Sequence, residues 1–128
     1  MDNPAVSMAQ QVAQAASAFQ KQLTGLAPKA VTAALGEDTL LVALHGALSP
    51  AEKVLAKTPS GATRLQEFHR LLFQSAAESL RQQIERITGV AVREAAVEVE
   101  MTTGTIIQVF QLAGSVSAET WSGPGNRF

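Results

Sequence analysis

The stretch between the TPSG of residues 58 to 61 and Gly89 limits the fold more than any other. Advancing each residue by about 100° puts Leu65, Phe68, His69, Leu72, Phe73, Ala76, Leu80, Ile84 and Ile87 in one broad sector. Glu67, Arg70, Gln74, Glu78, Arg81 and Glu85 fall opposite. A long helix with one apolar side has to lie on something, and the spacing predicts a helix resting on a sheet from the TPSG break to Thr88. Leu71 and the small residues Ser75 and Ser79 fall on a flank just outside the sector, where a partner could approach closely.

The sheet comes from two pairs of strands. VTAALG and TLLVALH are β-branched and aliphatic with GED between them, which predicts a hairpin of residues 29 to 36 and 39 to 46. Along its second strand Leu40, Val42 and Leu44 point one way and Leu41, Ala43 and His45 the other. Both faces are apolar, so both call for cover, from the first helix or from a second subunit. VAVREAAVEVEM and TIIQVFQL, joined at Thr102, Thr103 and Gly104, form the second hairpin. Val97, Val99 and Met101 alternate there with Glu98 and Glu100, and a shift of parity between Val92 and Ala95 predicts a bulge.

Helices fill the remainder. Asn3 and Pro4 read as a cap, followed by a stripe of Met8, Val12, Ala15, Ala16, Phe19 and Leu23 that stops at Gly25. In HGALSPAEKVLAK, residues 45 to 57, Ser49 and Glu52 stand three apart with Pro50 at the first helical position: a reciprocal cap opening a short helix from Pro50 to about Lys57. The expected fold is thus a two-layer α+β domain over residues 1–113, a four-stranded antiparallel sheet from two hairpins in the order α-β-β-α-α-β-β. Residues 114–128, rich in Gly, Ser and Pro, read as a flexible tail with an exposed Trp121.

Charge and composition exclude more than they suggest. A net charge of -1 gives no basic footprint for nucleic acid. Without cysteine there is no disulfide, thiolate metal site or cysteine nucleophile. The run from Leu40 to Leu48 is too short to span a bilayer and the start lacks a secretory pattern, so a cytoplasmic protein without direct membrane insertion is expected.

Candidate chemistry is sparse. His45 and His69 are the histidines, and neither stands at metal-ligand spacing; His69, in the apolar stripe, reads as a packed core or interface residue. Glu94, Glu98 and Glu100 form a comb read as a solvated strand face, which His45 could approach only for one strand order. Ser49 has no nucleophile-elbow context, and no glycine-rich phosphate loop is present. A candidate anion site is His45, Gly61, Arg64 and Arg70, around the start of the long helix. Candidate interface residues are Leu41, Phe68, Leu71, Ser75 and Trp121. No cofactor is expected.

From about Leu23 to Leu112 the chain resembles a family of small bacterial proteins named for the third component, MpsC, of a sodium-translocating, membrane-potential-generating system. The resemblance rests on GLAPK, on EDTLLVALHGALSPAEKVLA, on the arginine of EFHRLL, on ITGV and on IIQVF. It implies a domain linked to a membrane complex for cation-coupled bicarbonate uptake and membrane potential, and it carries over no catalytic residues. The expected function is a non-enzymatic accessory protein, a homodimer with a possible membrane-complex subunit as partner. The alternative is a small-molecule or anion-binding sensor.

Overall fold

The computed structural model describes residues 6–122. Asn3 and Pro4 lie outside them, and within them the first helix, α1 (Met8–Thr24), has its own cap: the Ser7 hydroxyl accepts from the Gln10 N–H, and the Gln10 side chain accepts from the Ser7 N–H. It ends at Gly25, whose φ of 82° is the left-handed conformation a helix stop uses. Strands β1 (Ala30–Gly36) and β2 (Thr39–His45) follow, then α2 (Pro50–Leu55), α3 (Pro59–Thr88), β3 (Val92–Glu100), β4 (Thr105–Leu112) and α4 (Ala118–Ser122).

The expected α+β class and element order hold. The four strands form one antiparallel sheet in the order β1-β2-β4-β3, so that the hairpins meet through their inner strands. The bulge appears where the parity shifted, between Val92 and Glu94. The TPSG segment, expected as a break, is the start of α3 itself: the Thr58 side chain accepts from the Gly61 N–H at 3.0 Å, with Pro59 in the first turn. In the first hairpin the left-handed residue is Glu37, with φ 54°, while Gly36 closes the strand.

α1 packs over β1 and α3 over β3, and the two helices pack on each other. Together they bury one face of the sheet: Leu40, Val42 and Leu44 of β2, Ile106 and Phe110 of β4, against Val12, Ala16 and Phe19 of α1 and Leu65, Phe73, Ala77, Leu80 and Ile84 of α3. Phe73 links the layers, edge-on to Phe19 and tilted against Phe110, each at 6.2 Å. Two amides sit in this core. Gln108 faces the helices from β4 with neither of its amide atoms hydrogen-bonded among the described residues, and Gln20 of α1 leaves its Nε2 without a partner there.

The sheet's two edges are treated differently. On β3, Gln66 Oε1 accepts from the Val99 N–H at 2.7 Å, Glu85 Oε2 accepts from the Val92 N–H at 2.8 Å, and Arg81 donates to the Val92 carbonyl at 2.8 Å. Helix α3 thus occupies three of the backbone groups that an edge strand leaves unpaired, at the two ends of β3. On β1 the two-residue turn makes Gly36 and Thr39 a bonded pair, so the amides of Val31, Ala33 and Leu35 point away from β2.

Candidate functional site

Among the described residues, the second face of the sheet is bare. The expected cover on both sides is met on one side only, by α1 and α3. Register puts the opposite residues in rows across the four strands: Ala34, Leu41, Val109 and Ala96 in one, Thr32, Ala43, Ile107 and Glu98 in the next. One step further, His45 pairs with Ala30 and Thr105 with Glu100. Leu41 is 39% exposed, and Ala43, Ile107 and Val109 are half-buried by their neighbours alone. The result is an apolar centre with Glu94, Glu98 and Glu100 along the β3 edge and Thr32 and His45 toward the β1 edge.

His45 does not meet the glutamates within the chain. β4 lies between its strand and β3, which places them about 10 Å apart across two strand spacings. Its Nε2 instead lies 3.1 Å from the Thr32 hydroxyl. That pair holds two polar hydrogens, one on the hydroxyl and one on the ring, and one of them is used internally whichever nitrogen is protonated. One donor therefore always remains for an acceptor outside.

The helix layer has its own uncovered surface. Phe68, expected beneath α3, is 52% exposed, and Leu71 beside it is 57% exposed. Ala77 is buried in its stead: the buried stripe of α3 runs through Gly61, Leu65, His69, Phe73, Ala77, Leu80 and Ile84, and Phe68 lies to one side of it. Phe68 and Leu72 line a groove of about 370 Å³ with Leu23, Thr24, Leu26, Ser49 and Glu52. Ser75, on the same exposed side, turns its hydroxyl back to the Leu71 carbonyl at 2.9 Å.

At the groove floor the expected cap is complete, and larger than expected. The Ser49 hydroxyl accepts from the Glu52 N–H at 3.2 Å, and Glu52 Oε1 accepts from the Ser49 N–H at 2.9 Å, with Pro50 in the first turn. Glu52 Oε2 is taken by His69 Nε2 of α3 at 2.7 Å, and His69 is only 4% exposed. Burial raises the pKa of Glu52, but the Ser49 N–H, His69 and the Ser49 hydroxyl outweigh it and hold the carboxyl below the usual glutamate range. The sequence reading assigned both halves of this contact and missed the contact. The signal was the second oxygen of Glu52, which a capping box leaves free.

The four residues of the anion set are not brought together. His45 lies on the bare face, and α3 on the other side of the sheet. The Gly61 N–H is already given to Thr58 and the Ala62 N–H to the Thr58 carbonyl, so the helix start has fewer free donors than expected. Arg70 lines a shallow groove with Ala62, Thr63, Gln66, Glu67, Val99 and Met101, and Arg64 is exposed outside it. Among the described residues no group of three or more His, Asp or Glu side chains could hold a metal ion.

Trp121, expected exposed in a segment without elements, is 8% exposed and lies in α4, which packs on α1. Large aromatic surface is worth burying wherever the chain can reach a crevice, and here five residues of helix suffice to bring it there. Trp121 is therefore part of the hydrophobic core and not an outward anchor.

A family model described as "Na+-translocating membrane potential-generating system (MpsC)" matches residues 5–114. The uncharacterized protein YbcI of Bacillus subtilis (strain 168) is 26% identical over 110 residues, covering 86% of this chain and 89% of the relative. No solved structure matches.

Proposed function

This chain belongs to the MpsC family, and from that premise we propose that it is a non-enzymatic accessory protein that works by contact. It acts on the cytoplasmic side of a cation-translocating membrane system concerned with membrane potential and bicarbonate uptake, as a homodimer that also holds a subunit of the membrane complex. The observation that carries this reading is the pair of uncovered apolar surfaces on opposite sides of one small domain: the sheet face centred on Leu41, and the helix side at Phe68 and Leu71. Exposed apolar area of this kind is costly to leave in water and is what contact proteins keep. Among the described residues no helix is long and apolar enough to cross a membrane, so membrane attachment in this reading goes through the partner. The alternative sensor reading keeps Arg70 in a groove but loses His45 to the other side of the sheet.

A tagged chain in cells carrying the translocation system is expected to fractionate with its membrane subunits. Phe68→Asp with Leu71→Asp should release it to the soluble fraction with its helical circular dichroism intact. Recovery of the unaltered chain wholly in the soluble fraction, together with an unchanged sodium-dependent membrane potential after its deletion, would overturn the reading.

A further inference from the structure

We infer that the bare side of the sheet is covered by a second copy of this chain, related by a two-fold axis parallel to the strands and running between β2 and β4. The inference rests on the homodimer of the reading above and adds the face and the symmetry. Such an axis leaves every residue at its own level along the strands and exchanges the strands across the sheet, β2 for β4 and β1 for β3. The register then fixes what meets what. Ile107 of each copy faces Ala43 of the other, a large side chain over a small one, and Leu41 faces Val109. Glu98 comes over Thr32, and Glu100 comes over Ala30 beside His45.

The chemistry at the edges selects this axis. The Thr32–His45 pair always leaves one donor unused, and the carboxylates of Glu98 and Glu100 are acceptors only, so each edge offers what the opposite edge lacks. A two-fold across the strands would instead stack β3 on β3 in reversed order and bring the row of Glu94, Glu98 and Glu100 over the same row of the other copy, which like charges oppose. Strands of 7 to 9 residues at about 3.4 Å each, four abreast at about 4.8 Å, give a face about 27 Å by about 19 Å. That is near the low end for a specific contact, as a reversible dimer requires.

Sedimentation equilibrium of the full chain is the test. The unaltered protein is expected to show a monomer–dimer equilibrium that Leu41→Glu weakens about tenfold or more. His45→Glu alone and Glu100→Lys alone should each weaken it, and the two together should restore it. All three residues are at least partly exposed, so each variant should keep its circular dichroism, which is recorded alongside. A dimer that ignores Leu41→Glu, or a double variant no better than the singles, overturns this arrangement and leaves the contact-protein reading standing. A monomer at every concentration overturns this arrangement and the homodimer with it.

Discussion

His69 Nε2 lies 2.7 Å from Glu52 Oε2, and this bond ties α3 to the first turn of α2. The cap at Ser49 and the buried histidine therefore act as one unit. A double-mutant cycle on Glu52→Ala and His69→Ala should give a coupling of about 1–2 kcal/mol, as for a hydrogen bond to a charged group. Ser49→Ala should cost about 1 kcal/mol by itself. Additive losses at Glu52 and His69 in urea denaturation would show that the contact contributes nothing.

The same carboxyl makes stability depend on acid. Its pKa is lower in the folded chain than in the unfolded one, so the unfolded chain binds more protons in the interval between the two values. The contribution is present in full above the ordinary glutamate range and is lost as pH falls through the lowered folded value. Urea midpoints measured from neutral pH down to about pH 3 should fall with acidification, and less steeply in Glu52→Gln. Equal slopes in the two proteins would assign the acid sensitivity elsewhere.

Gly61 sits where α3 begins, and a Cβ there would run into the Leu55 carbonyl oxygen and lie 2.8 Å from Thr58 Oγ1. Backbone does not yield as a side-chain tip does, so α2 would have to move. Gly61→Ala should cost about 1–3 kcal/mol, although alanine is the better helix former. A stabilised Gly61→Ala variant would mean that α2 shifts freely.

Gln108 is wholly buried, and its amide has no hydrogen-bond partner among the described residues. Methionine has nearly its shape without its polar atoms. Gln108→Met should raise stability by about 1–2 kcal/mol, read from the thermal and urea midpoints together. A loss of similar size would reveal a partner for the amide.

What was legible in the sequence was local. The long helix, both hairpins, the bulge between Val92 and Glu94 and the cap at Ser49 and Glu52 each follow from periodicity or from residues a few positions apart. The order in which the hairpins join is not local, and it decided that His45 meets Thr32 and not Glu98. Phe68 lies within the apolar sector of α3, but period alone does not say on which part of a broad sector the sheet beneath is centred. Trp121 stands in a segment without pattern, and its burial depends on a crevice against α1 that no neighbouring residue announces. His69 and Glu52 are seventeen residues apart, and only the packing of α2 on α3 joins them.

Gln66, Arg81 and Glu85 bear on growth as well as on stability. A sheet with two open edges can add copies without end, each newcomer exposing the next place to join. Here α3 takes both backbone groups of Val92 and the N–H of Val99, so a strand seeking to pair along β3 meets helix side chains at each end of it. β1 carries no such side chains among the described residues and is the more open edge. Joining is thereby steered toward β1, and the side chains of α3 act as a partial stop on β3 in every molecule.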